Sequence, residues 1–396
     1  MPPTTRIDGA AAPAAPGSTA SLRVANQQRV LGVLRQITHE DDPVTQADLA
    51  RRTGLAPATV SGIVRELDAA RMVTTEPGRG RRGTTVRIAR SAGLVAGVDF
   101  GHSHLSVAVA DLTGTVLAEV RRPLHPGHDH RDGLALARQL LDGVLAEHTH
   151  AGEHLRAVGL GLPAPITDGV VRSSAILPGW VGIDAAAAAG EAFGAPVHTE
   201  NDANLGALAE HRRGVARGTA SSVFVKISSG VGAGIVLEDR IFRGSGGTAG
   251  EVGHLTLDEQ GPVCRCGSRG CLEAYASIPT IQQMMAGQLP DATLDDVVAA
   301  ARGGNVAALR SFEDAGLHLG WGVASVVNLL NPDLVVIGGE LARAGDLLLD
   351  SVRLGLRRHA LDAVAATPVL ASTLGERASL VGAAILAAEQ VELLPG

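Results

Sequence analysis

The sequence is poor in aromatic residues, in cysteine and in long apolar runs. Phe, Trp and Tyr make up 2% of its 396 residues, so its cores must be filled by aliphatic side chains and alanine. No apolar run approaches the ~18 residues that a membrane-crossing helix needs, which excludes a helical membrane protein. The first twenty residues carry Ala and Pro but neither a basic start nor an apolar h-region. That excludes a secretory signal, and residues 1–20 read as a disordered tail. Three cysteines, an odd number, do not make a disulfide framework, so the expected compartment is the reducing cytoplasm. What is present is 45% hydrophobic residues, enough for large cores and, at this length, two or three domains.

All three cysteines fall in one run, Cys264-Arg-Cys266-Gly-Ser-Arg-Gly-Cys271-Leu-Glu273. A chain that uses cysteine nowhere else and places three in eight positions is building a metal site. A structural zinc takes four ligands in a tetrahedron, and three thiolates with one imidazole form a common set. The fourth candidate is His254, which closes Gly250-Glu-Val-Gly-His254. The competing reading is three buried free thiols, which cysteine tolerates; the clustering argues against it.

The net charge of −7 is unevenly spread. Residues 1–90 hold thirteen Arg against eight Asp and Glu, a balance of +5, and residues 91–396 carry −12. A basic head on an acidic body points to a head that meets a polyanion. Within the head, Val30, Leu31, Val33, Leu34 and Ile37 recur at helical spacing over Asn26–His39. Thr45 caps a second helix, with Asp48 in the capping-box position. Gly54 breaks it, and Pro57 opens a third helix with Ile63, Val64 and Leu67 as its buried stripe. This is a helix-turn-helix over residues 21–90. The third helix presents Thr59, Ser61 and Arg65 to a major groove. Met72 to Ile88 reads as a two-stranded wing whose tip carries Arg79, Arg81 and Arg82, able to reach phosphates or a narrow minor groove. The alternative is a helical packing domain with solvated arginines; the helices, wing and charge asymmetry together favour DNA.

In the body, residues 91–396, a strand ends at Asp99-Phe-Gly101, and a second follows over Leu105–Ala110. Strand, glycine turn and strand recur about 125 residues later, through Ser229-Gly230-Val-Gly232-Ala-Gly234. This spacing predicts a duplicated fold of two α/β lobes. Glycine turns of this kind can offer backbone N–H groups to phosphate.

These motifs, with Gly161-Leu-Pro-Ala-Pro165, Glu200-Asn-Asp-Ala-Asn204 and the Cys264–Glu273 run, resemble the ROK family (repressor, open reading frame, kinase). The whole chain resembles that family's transcriptional regulators. The resemblance implies an α/β chain: an N-terminal winged helix-turn-helix followed by a two-lobed, actin-like ATPase or sugar kinase fold, assembled as dimers or tetramers. It implies sugar binding by Asn201, Asp202, Glu251, His254 and Glu273. It implies a structural zinc on His254, Cys264, Cys266 and Cys271. If nucleotide binding is retained, the resemblance assigns the phosphates to Asp99, Gly101, Ser103, Gly230, Gly232, Gly234, Gly338 and Gly339, with ATP and magnesium as cofactors only of an active kinase. Asp202 would be the general base of an active kinase; a plain helix cap is the competing role for it.

The first phosphate loop departs from the kinase pattern Asp-x-Gly-Gly-Thr-Lys: here it reads Asp99-Phe-Gly101-His102-Ser103-His104. The expected function is therefore a DNA-binding repressor that answers to a sugar or sugar phosphate, with an inverted-repeat operator. An active hexose kinase carrying a DNA-binding head is the alternative. A bare dimerisation scaffold is a third reading, opposed by the intact sugar set. After Trp180, Val181 stands where some family kinases carry a polar residue that meets the sugar.

Overall fold

The computed structural model describes residues 19–37, 44–78, 83–125, 127–148, 153–174 and 176–391. These divide into two compact units, the first running to Gly93 and the second from Leu94 to Gln390.

In the first unit three helices, Thr19–Arg35, Gln46–Thr53 and Pro57–Ala69, pack beside a small antiparallel sheet. In that sheet Thr85–Ile88 lies between Val44–Thr45 and Val73–Glu76. Thr45 and Asp48 form a reciprocal capping box, and the following helix ends at Gly54 in the left-handed conformation. A cap of this kind is worth about 1 kcal/mol. The first helix starts at Thr19 and ends at Arg35, earlier at both ends than the apolar spacing over 26–39 predicts. Its first turns lack an apolar stripe, and Leu22 is exposed, so the residue pattern there carries no helix signal. Val30, Leu31 and Leu34 are buried with Val60, Ile63, Val64 and Leu67.

The second unit contains two five-stranded sheets with the same topology. The first runs Val197–Asn201, Leu155–Leu162, Leu94–Phe100, His104–Asp111, Val116–Pro123 in spatial order. The second runs Val369–Ala371, Leu334–Gly338, Ser221–Ile227, Val231–Leu237, Arg240–Ile241. In each, an antiparallel meander is extended by two parallel strands. The predicted duplication is thus the repetition of one sheet. Two helices, Asp202–Arg213 and Ala378–Gln390, are buried along most of their length. The second is apolar almost all round, as a core helix is expected to be, whereas the first buries polar side chains that find hydrogen-bond partners. Among the described residues no helix is long and apolar enough to cross a membrane.

One expected turn is a strand. Gly232 and Gly234 lie within Val231–Leu237, and only Ser228–Gly230 makes the turn. A side chain at Gly234 would meet the Ala203 carbonyl oxygen at 2.4 Å, and one at Gly338 would meet the Phe224 ring at 2.2 Å. These two glycines let helix and ring approach the sheet.

Candidate functional site

The third head helix turns Val60, Ile63, Val64 and Leu67 inward and leaves Thr59 and Arg65 exposed, with Ser61 half-buried. Arg65 Nε donates to the Ser61 carbonyl at 3.4 Å. Arg79, Arg81 and Arg82 lie outside the described residues.

In the body, a cleft of about 980 Å³ opens at the ends of both sheets. Asn201, Asp202, Glu251, His254 and Glu273 all line it, as do Asp99, Gly101, Ser103, Gly230, Gly232 and Gly339. Gly234 and Gly338 are not among its lining residues and sit instead against a helix and the Phe224 ring. Val181 is exposed and outside the lining residues.

Asn201, not Asp202, caps the helix: its Oδ1 accepts from the Ala203 and Asn204 amides at 2.9 and 3.3 Å. Asp202 is thereby free for a different partner. Its Oδ2 receives Lys226 Nζ at 2.7 Å, and the same ammonium donates to Ser379 Oγ at 3.0 Å. Ser379 Oγ in turn donates to the Asp202 carbonyl at 2.9 Å. Lys226 is the only lysine in the 396 residues. Burial lowers its pKa, but the Asp202 and Asp99 carboxylates outweigh burial and hold it above the ordinary value. Burial pushes Asp202 up, with Asp99 adding to the effect and Lys226 opposing it. At 2.7 Å the two groups form an ion pair, each favouring the charged form of the other.

Asp99 ends its strand buried, with Oδ1 unpartnered and Oδ2 4.0 Å from His104 Nε2. The His104 ring lies over Gly101: a side chain there would meet Cε1 at 2.2 Å. Burial, with help from Arg121 and Lys226, lowers the His104 pKa to about 3. A neutral imidazole therefore stands where the kinase pattern has a cationic lysine. His102 is exposed and lines the cleft.

Gly250, at φ +97°, brings the next segment close to the second sheet; a side chain there would lie 1.9 Å from the Ala233 carbonyl oxygen. That close approach sets Glu251 and His254 on the cleft wall. His254 Nδ1 faces Cys264 Sγ at 3.8 Å, and Nε2 faces the Glu251 carboxylate at 3.8 Å. His254, Cys264, Cys266 and Cys271 offer ligand atoms that all lie within 4.8 Å of one another. Cys266 and Cys271 sulfurs are 3.8 Å apart, the edge of a tetrahedron with metal–sulfur bonds of about 2.3 Å. The donor set and its spacing fit zinc. Burial pushes the Cys264 thiol up to about 12, so the sulfurs do not ionise together without a cation among them. Glu273 ties this loop to the Ser228–Gly230 turn: Oε2 accepts from the Val231 amide at 3.0 Å and Oε1 from Arg265 Nε at 2.6 Å.

Residues 95–390 match the ROK family, and residues 27–83 match the MarR family. The chain belongs to the ROK family. The xylose repressor of Bacillus subtilis is 27% identical over 348 residues, covering 87% of this chain and 90% of the repressor. The glucokinase of Thermotoga maritima is 31% identical over 313 residues, covering 74% of this chain and 97% of the kinase. Among solved structures, a ROK family transcriptional regulator described as a homolog of the E. coli MLC protein superposes with a TM-score of 0.77 at 28% identity. That match covers 92% of this chain and 96% of the regulator. ROK proteins thus include both regulators and sugar kinases. The first unit carries a MarR-type winged helix, and the second the ROK fold.

Sequence reasoning missed Lys226, Arg121, Arg265 and Glu340, all in the cleft lining. A signal for Lys226 was present: it is the chain's single lysine. No local pattern marked the others.

Proposed function

We propose that this protein is a DNA-binding transcriptional repressor of carbohydrate genes, and that a sugar bound in the ROK cleft sets its operator affinity. The observation that carries the reading is the match to a repressor through head and body together, whereas the glucokinase match covers 74% of the chain. Asn201, Asp202, Glu251, His254 and Glu273 supply the mixture of donors and acceptors that sugar hydroxyls need. Zinc on His254, Cys264, Cys266 and Cys271 would act structurally. With Nδ1 on the metal, His254 keeps Nε2 for a hydroxyl, its tautomer and orientation fixed. The alternative, an active hexose kinase with ATP and magnesium in the cleft, is opposed by the neutral His104 and by the Lys226–Asp202 pair.

Operator DNA is expected to be an inverted repeat, read by a dimer or tetramer whose two recognition helices are related by a two-fold axis. Fluorescence anisotropy on a selected operator tests the assignment. Thr59→Ala or Ser61→Ala is expected to change base preference, by about 1–3 kcal/mol for each base-edge interaction removed. Replacing Arg79, Arg81 and Arg82 with Ala is expected to weaken binding to every sequence and to lower the salt slope by about 0.9 for each phosphate no longer neutralised. A fragment lacking residues 1–90 that still bound the operator would refute the reading. So would full-length protein whose operator affinity no sugar changes.

A further inference from the structure

The cleft holds three cations, and each is already committed to a carboxylate of the protein. Lys226 Nζ sits 2.7 Å from Asp202 Oδ2. Arg265 Nε sits 2.6 Å from Glu273 Oε1, and its guanidinium also donates to the Ser229 carbonyl. Arg121 is paired through Nη1 with Glu376 and stands 3.9 Å from Glu340 through Nη2. The His104 ring, packed over Gly101, has its pKa lowered by burial to about 3 and does not add to them. Against these three stand six lining carboxylates, of which Glu376 also pairs with Arg343 outside the lining. Among the described lining residues no lysine or arginine is left without an acidic partner, and the acids outnumber them.

A phosphate ester or a triphosphate needs the reverse. It is held by positive side chains and N–H groups that have no competing anion. To bind here it would have to displace a resident carboxylate, or lie beside Glu340 and Glu376 as one more negative charge. A hydroxyl group faces no such obstacle. Paired carboxylates keep lone pairs to accept from it, and an uncharged ligand adds nothing to the net negative charge.

We propose that the cleft is built to admit an uncharged sugar and to exclude its phosphorylated forms, with Lys226, Arg121 and Arg265 as resident counter-ions that determine this specificity. The inference rests on the sugar-sensor reading and narrows it from a sugar or sugar phosphate to the free sugar. Lys226 has the central part. As a buried ammonium between Asp202 and Ser379 it holds Asp202 as a hydrogen-bond acceptor. Removing it would leave a buried carboxylate unpaired, an arrangement proteins rarely tolerate.

Calorimetry on the full-length protein tests this with glucose, xylose, N-acetylglucosamine, glucose 6-phosphate, xylose 5-phosphate and N-acetylglucosamine 6-phosphate. One free sugar is expected to bind at least about 100-fold tighter than its own phosphate, the scale that one unrelieved like-charge approach sets. A phosphate that binds as tightly as its parent sugar, or tighter, overturns the proposal. Binding of neither series removes the sensor reading itself, and the proposal falls with it. A second arm separates the two ideas. The double variant Glu340→Gln, Glu376→Gln releases Arg121 and is expected to raise affinity for the sugar phosphate at least about 10-fold, with the free sugar little changed. Melting curves establish that the variant is folded. Unchanged phosphate affinity in the folded variant overturns the assignment of specificity to these charges even where free sugar binding stands.

Discussion

Replacing Cys266 with alanine is expected to strip the protein of zinc and, with it, of its response to sugar. Elemental analysis of the unmutated protein should return one zinc per chain, and the variant a small fraction of that. A metal bound only by the folded state stabilises it by mass action, about 4 kcal/mol at a thousandfold excess over Kd. For a domain of this size that corresponds to a fall in Tm on the order of 10 °C. The loss reaches the sugar through two connections. His254 would give one ring nitrogen to the metal while the other faces Glu251 on the same turn of the cleft wall. Arg265, between Cys264 and Cys266, holds Glu273 at 2.6 Å, so a loosened loop also releases Glu273. Operator affinity should persist while its modulation by sugar disappears. A variant that retained both full zinc content and full sugar response would show that these four residues are not the metal site.

How much of this was legible in the sequence differs by kind of interaction. The capping box at Thr45 and Asp48, the left-handed Gly54 and the buried stripe of the third helix are local, and spacing alone revealed them. The duplicated sheets were legible because strand, turn and strand recur at a fixed interval. The clustering of Cys264, Cys266 and Cys271 was legible because three rare residues share one loop. The cap at 201 was harder: Asn201 and Asp202 are both good capping residues, and only backbone geometry decides that Asn201 takes the cap and leaves Asp202 to Lys226. Arg265 and Glu273 share the cysteine run, eight positions apart, but the partners of Lys226 and Arg121 were invisible in any local window. Lys226 meets Ser379 across 153 positions, and Arg121 meets Glu376 across 255. Gly234 and Gly338 illustrate a related ambiguity. A glycine that admits a neighbouring helix or ring reads in sequence like one that admits a phosphate.

Restoring the kinase form of the first phosphate loop is expected to leave the protein without useful kinase activity. Across a panel of hexoses with ATP and magnesium, the unmutated chain should show no turnover approaching the ~1–100 per second of ordinary kinases. The triple change His102→Gly, Ser103→Thr, His104→Lys removes the His104 ring from above Gly101 and supplies the missing cation. It does not touch Asp202, whose Oδ2 stays bound to Lys226 at 2.7 Å. A carboxylate that shares an oxygen with an ammonium is a poorer acceptor for a sugar hydroxyl proton, and general-base help is worth about 10²–10⁴ in rate. Removing Lys226 costs stability because it leaves Asp202 unpaired, so melting curves must first show the variant folded. In folded protein, adding Lys226→Ser to the triple variant is expected to raise turnover at least about 100-fold over the triple variant alone. Ser379, which both receives from Lys226 and donates to the Asp202 backbone, remains to hold the helix start in place. Two results would count against this account. Ordinary kinase turnover in the unmutated protein would establish the kinase reading. Full activity in the triple variant with Lys226 intact would place the whole defect in the loop and leave the Lys226–Asp202 pair without a part in suppressing transfer.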